Sequence, residues 1–284
     1  MSGLLINYNA AANNAIDNLD STNTSLSQTV GQLSSGLQIQ TAADNPAGYV
    51  IGQYLQQEAN GYTQSISNTQ DAISVLQTAQ GGLNQEASIL QTMNTLATQA
   101  ANGGAQNTTS LGAAQAEFAS LQSELDQIAN STNYAGTALL TGSYSGTFQV
   151  GPSNSTSDQI SVSILAAGSV ALGVGATTGT GTTTAVSLSS TTGAEAAMAA
   201  VQSAISNVAS MAAALGASQN QITAVAANLT TAQENIQSAH ANLVDVNIAQ
   251  ATTTFTSQQI LEQAGVSILS QAAQLPALAQ KLLP

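Results

Sequence analysis

Side chains able to do joint chemistry come closest together at Glu117, Glu124 and Asp126. Paired carboxylates can divide acid and base roles when their surroundings push their proton affinities apart. Here they sit along the polar side of an amphipathic stretch, the pattern of a solvated helix face. His240 is the chain's single histidine, so a helical two-histidine zinc site cannot form, and with no cysteine there is neither thiolate chemistry nor a disulfide. Neither G-x-G-x-x-G nor a phosphate-binding P-loop pattern occurs. These absences point away from an enzyme and away from any cofactor or metal. His240 falls on an apolar seam, where its protonation would place a charge between helices, but a hydrogen-bonded interface histidine accounts for it. Sequons at Asn23, Asn107, Asn130, Asn154 and Asn228 are what an Asn- and Thr-rich chain produces by chance.

The elements that would carry these residues are long helices. Val201, Val208, Leu215, Ile222, Leu229, Ile236 and Leu243 recur every seven residues, which predicts one helix from about Glu195 to Asn247, roughly 75 to 80 Å long. The alternate seam positions, Ile205, Ala212, Gln219, Ala226, Gln233 and His240, mix apolar with polar, so the stripe is narrow and needs partner helices. Ile16, Leu19, Leu26, Val30, Leu33 and Leu37 predict a first helix over the initial forty residues. Gly36, Asn45, Pro46 and Gly48 break the periodicity and mark a boundary. Helix is expected again from near Ile51 to Ala101 on Leu76, Leu83, Leu90 and Ala97, and a third from Leu111 to Ile128. Alternation of Phe148 and Val150, then Ile160, Val162 and Ile164, around Gly-Pro-Ser-Asn signals a β-hairpin. Residues 166–193, rich in Thr, Gly, Ala and Ser, predict a small strand or loop elaboration. A last amphipathic segment carries Ile248, Phe255, Ile260, Leu261, Ala264, Ile268 and Leu269, with an interruption expected at Pro276.

Composition agrees with thin helix-on-helix packing. There is no tryptophan, aromatics are 3% and charged residues 5%, against about 25% in ordinary globular domains. One Lys faces fourteen carboxylates, a formal net charge of −13, and nothing is available to neutralise nucleic acid phosphates. The start, MSGLLINYNAAANNAI, lacks the basic and long apolar regions of a cleaved signal peptide, and the longest uncharged stretch is too polar to span a membrane. The expectation is a soluble chain without membrane insertion.

LSSGLQIQTAADNPAG resembles the segment joining two core domains in bacterial flagellins, and DAISVLQTAQGGLNQEASILQTMNTLATQAANG resembles their first long core helix. LGASQNQI, AQENIQSAHANLVDVNIAQA and SQQILEQAGVSILSQAAQLPALAQKLL follow the family's C-terminal order. The resemblance covers about residues 1–165 and 200–284. It implies a mainly α fold: long antiparallel helices in a coiled-coil-like bundle formed by the N- and C-terminal halves, with a small β-hairpin region in the middle. It implies an N-terminal inner-tube helix at 1–44, outer-core helices and hairpin at 45–165, a short variable segment at 166–193, a returning outer-core helix at 194–242 and a C-terminal inner-tube helix at 243–284. This would be a short flagellin with almost no variable outer domain.

The implied function is a structural subunit that assembles with copies of itself into the extracellular flagellar filament for swimming. The implied partners are an export chaperone, hook–filament junction proteins and a filament cap, with export that needs no cleaved signal peptide. A flagellin-like hook–filament junction protein and a coiled-coil surface adhesin are the alternatives. Assembly and helix packing would rest on Leu26, Val30, Leu33, Leu37, Leu76, Leu83, Leu90, Val201, Val208, Leu215, Ile222, Leu229, Ile236, Leu243, Ile260 and Ile268. By resemblance, innate receptor recognition would use the region of Thr92, Leu96, Gln99 and Glu117. The chain departs from the family in charge, because Gln38, Thr92, Asn94, Gln221, His240, Asn242 and Val244 stand in stretches where flagellins usually carry basic residues.

Overall fold

Capping chemistry sets the first helix boundaries. The structure, a computed structural model of the chain, describes residues 9–175 and 186–281, with side chains through residue 274. Helix α1 spans Ala10–Ser35: the Asn9 side chain accepts the Ala12 N–H at 3.1 Å, and Gly36, at φ 75°, turns left-handed while its N–H donates to the Gln32 carbonyl. A left-handed residue after the last turn is the usual place for glycine, which has no Cβ to clash. The initial residues of the expected helix, 1–8, lie outside the described part.

Helix α2, Pro46–Ala100, begins five residues before Ile51 because the residues read as breakers build its start. Asn45 caps it, its Oδ1 accepting from Gly48 N at 2.9 Å and its carbonyl from Tyr49 N, and Pro46 takes the first position, where its missing N–H costs nothing. Helix α3, Thr108–Ser131, opens with a reciprocal cap between Asn107 and Ser110. Helix α4 spans Thr191–Val244 and α5 spans Ile248–Lys281.

The interruption expected at Pro276 does not occur, and α5 continues through it. Proline leaves the carbonyl four residues earlier without its helical donor. That carbonyl belongs to Ala272, and it accepts instead from the Asn9 side chain at 2.7 Å. The break is repaired by a residue far away in sequence.

Strand β1, Asn133–Tyr134, pairs with β2, Thr137–Ala138, through Ala135 and Gly136, both at positive φ. This tight turn was not expected, since two-residue strands leave no alternation to read. The expected hairpin is present as β3, Ser145–Gln149, and β4, Gln159–Ser163, antiparallel with Ser145 opposite Ser163 and Gln149 opposite Gln159. Its connection is longer than a tight turn and holds a short 3-10 helix, Thr156–Asp158. The described part of 166–193 is packed chain: Ala167, Leu172, Val174 and Leu188 are buried, and Asp126 fastens the loop by accepting from Ser169 N at 2.8 Å and Ser169 Oγ at 3.0 Å. Residues 176–185 lie outside the described part.

The chain divides into two compact units, one of 1–59 with 234–284 and one of 60–233. In the first, α1 packs along α5, with Gly265 against Leu19 so closely that a Cβ there would meet Leu19 Cδ1 at 2.8 Å. In the second, one core joins α2, α3, α4, both hairpins and the 164–175 loop. Its densest line is a heptad seam on α2, where Ala72, Leu76, Ala79, Leu83, Glu86, Leu90, Met93 and Ala97 are all at 0% exposure. Among described residues α4 alone is long and apolar enough by composition to cross a membrane, yet its seam residues Val201, Val208, Leu215 and Ile222 are buried in this core.

Candidate functional site

The heptad residues divide into two classes by what covers them. Within 60–233, Leu76, Leu83, Leu90, Val201, Val208, Leu215, Ile222 and Leu229 are all buried, so their partners are other helices of the same chain. In the other unit the same spacing is only half covered. Leu26, Leu33, Leu37, Ile236 and Leu243 are half-buried, Val30 is 46% exposed, and Ile260 and Ile268 are 61% and 57% exposed. Ile16, Ile248, Leu261 and Val266 are open as well, as are Val50, Ile51 and Tyr54 on the first turns of α2. A soluble monomer exposes scattered apolar side chains routinely, but this many on the faces of three helices makes an interaction surface. The Val50, Ile51 and Tyr54 group was missed in the sequence. Consecutive large apolar residues at a helix start cannot all face one side, and that was the available signal.

Between α1 and α2 the crossing chain is held by backbone and by Asp44. Gln38 N donates to the Val244 carbonyl at 2.7 Å, Val246 N donates to the Gly36 carbonyl at 2.9 Å, and Leu37 pairs with Asp245. The Asp44 carboxylate accepts from Thr41 N at 2.9 Å, Gln40 N at 3.1 Å, Thr41 Oγ1 and Gln28 Nε2. The N–H groups of Thr41 and Gln40 favour the ionised form and hold its carboxyl below the ordinary value. The segments that follow α1 and α4 thus meet through main-chain bonds that require no particular side chain, so the heptads alone could not have shown them.

Of the receptor-region residues, Thr92, Gln99 and Glu117 are exposed, and Leu96, 9% exposed, is turned into the core. The Thr92 hydroxyl donates back to the Ser88 carbonyl of its own helix at 3.2 Å. Glu117 and Glu124 are also exposed, whereas the third carboxylate of that group, Asp126, is engaged by Ser169. A groove of about 690 Å³ lies between β4 with the 164–172 segment and α4. Its polar lining is serine and Asn207, with no base beside a hydroxyl to activate it.

Glu86 stands apart from every other carboxylate. It is fully buried, and neither carboxylate oxygen has a hydrogen-bond partner among the described residues. Burial pushes its carboxyl up to about 8. The α2 heptad held the signal, since counting by sevens from Ala72 and Ala79 to Met93 lands on Glu86.

The sequence comparisons agree with this geometry. The model of the bacterial flagellin N-terminal helical region matches residues 6–145, and that of the flagellin C-terminal helical region matches 198–283. A flagellin of Clostridium tyrobutyricum is 44% identical over 140 residues, 49% of this chain and 37% of that protein. A flagellin of Bacillus subtilis is 38% identical over 181 residues, 60% of this chain and 59% of that protein. The matches therefore span less than two thirds of these relatives' own length. The crystal structure of Bacillus cereus flagellin aligns at 27% identity and a TM-score of 0.49 over 57% of this chain and 88% of that one, too loose a likeness to argue from. With helical-region models matching both ends, in order, on a fold of long helices and two small hairpins, the chain belongs to the bacterial flagellin family.

Proposed function

We propose that the chain is a structural subunit that polymerises with copies of itself into a flagellar filament outside the cell. The observation that carries this reading is the open apolar face of α1 and α5: Ile16, Val30, Ile260, Leu261, Val266 and Ile268 are each more than 40% exposed on helices whose seam spacing calls for further helices. Family membership supports the choice of occupant, other copies of the same helices. The assembly residues are then Leu26, Val30, Leu33, Leu37, Ile236, Leu243, Ile260 and Ile268, while Leu76 to Leu90 and Val201 to Leu229 hold the subunit itself together. On this reading 1–44 and 243–284 form an inner tube and 45–165 with 194–242 an outer one. Export without a cleaved signal peptide, a chaperone, junction proteins and a cap belong to the same reading, as does the recognition region of Thr92, Leu96, Gln99 and Glu117.

Electron microscopy of the purified full chain, with and without filament seeds, tests it. Long tubes growing from seeds are the expected result. Short caps that stop growing, or isolated particles at every concentration, would overturn it. Ile260→Ser with Ile268→Ser should abolish growth while leaving the helical signal of the 60–233 unit intact.

A further inference from the structure

We propose that a proton on the Glu86 carboxyl is a structural component of the 60–233 bundle, so that this unit is built to be firm in acid and to loosen as the solution turns alkaline. The position is an interior heptad position of α2, with Leu83 before it and Leu90 after it at 0% exposure, and with apolar residues at every other site of that seam from Ala72 to Ala97. A carboxylate there has lost its water, and neither oxygen has regained a partner among the described residues. An isolated buried charge of this kind is so costly that the group keeps its proton instead.

Within the 60–233 unit no basic side chain can reverse that outcome. The chain's two basic side chains, His240 and Lys281, both lie outside residues 60–233. The titratable groups that the elements of this unit do contribute are Asp71 on α2, Glu117, Glu124 and Asp126 on α3, Tyr134, Tyr144 and Asp158 around the hairpins, Glu195 on α4, and Tyr62 at the start of the unit. The carboxylates among them can only make an ionised Glu86 less favourable, and no tyrosine hydroxyl reaches either of its oxygens among the described residues. In an ordinary protein a lysine or arginine in the same core would stabilise the charge. This sequence contains none to do so.

The direction follows from linkage. The folded carboxyl binds its proton up to about pH 8, whereas the unfolded chain releases it near 4.5. The stabilisation is therefore complete below about 4.5 and is lost progressively as pH rises through about 8. His240, the chain's one histidine, lies in the other unit. The inference concerns the single chain and stands whether or not it polymerises.

The test is equilibrium unfolding of the full chain between pH 5 and pH 8.5, followed by tyrosine fluorescence and circular dichroism, for wild type, Glu86→Gln and Glu86→Met. In wild type the unfolding constant should rise by about four-hundredfold between pH 5 and pH 8. Both variants should be flat across the window and more stable than wild type at pH 8, with Met, close in volume to Glu and needing no partner, the stronger. Should either variant fail to fold, infrared spectra of the folded wild type at pH 7 decide the matter. A protonated carboxyl C=O band that fades as pH passes 8 supports the proposal, and its absence at pH 7 overturns it. A wild-type unfolding curve flat from pH 5 to 8, or a slope that Glu86→Met leaves unchanged, overturns it too.

Discussion

Two carboxyls in this chain respond to pH in opposite senses because one has lost water without compensation and the other has gained hydrogen-bond donors. Asp44 accepts two backbone N–H groups, from Thr41 and Gln40, which hold its carboxyl below the ordinary value. Its folded value lies below the ordinary 3.8, so what it contributes is present above that pH and is lost as pH falls through the lower folded value. Asp44→Asn removes the charge and one acceptor from the turn before α2. The variant should show faster amide exchange at Thr41 and Gln40 at neutral pH, and a smaller change than wild type between pH 5 and 2.5. An equal acid dependence in the two proteins would show that the Asp44 hydrogen bonds contribute nothing to the turn.

The helices depend on contacts that are distant in sequence at one instructive place. Asn9 both caps α1, through Ala12 N, and supplies the donor that Pro276 denies to Ala272. Asn9→Ala loses both roles and should weaken α1–α5 packing by about 1 to 3 kcal/mol, the range for a lost cap together with an orphaned carbonyl. Asn9→Asp keeps the capping acceptor but turns an oxygen toward the Ala272 carbonyl. Hydrogen exchange in α1 and around Ala272 separates the two. If Asp protects as well as Asn at both sites, the bond to Ala272 is not what carries the helix past the proline.

For the whole molecule the controlling fact is one Lys against fourteen carboxylates. Below the range in which carboxylates neutralise, about 3.9 to 4.3, a lysine-rich subunit becomes strongly positive and its packed copies repel. This chain keeps only Lys281 and His240 as side-chain cations, and its buried Glu86 is at its firmest in that range. Filaments of it should therefore persist, and bundle, near pH 3. Light scattering and microscopy from pH 7 to 2.5 check this against a lysine-rich flagellin, and disassembly of both at one pH would refute it. Because exposed ion pairs contribute about 0 to 1 kcal/mol each, the missing basic residues take little from the fold itself.

The sequence by itself determined the helical class, the α2 and α4 seams and the β3–β4 hairpin, because periods of seven and of two are written in local order and need no partner to be seen. It also carried the family in LSSGLQIQTAADNPAG and the C-terminal segments. What it left open was occupancy. Val208 and Ile260 obey similar spacing, yet one is 2% exposed and the other 61%, and only the three-dimensional arrangement says which stripe finds its cover within the chain. The same holds at Pro276, where a local rule predicted a break and a side chain 267 positions earlier, Asn9, supplied the missing donor. It holds at Glu86, which heptad counting places on the α2 seam without saying whether water or a partner reaches it. A carboxylate's state depends on what surrounds it in space, and the tertiary structure buried this one completely, with no hydrogen-bond partner among the described residues.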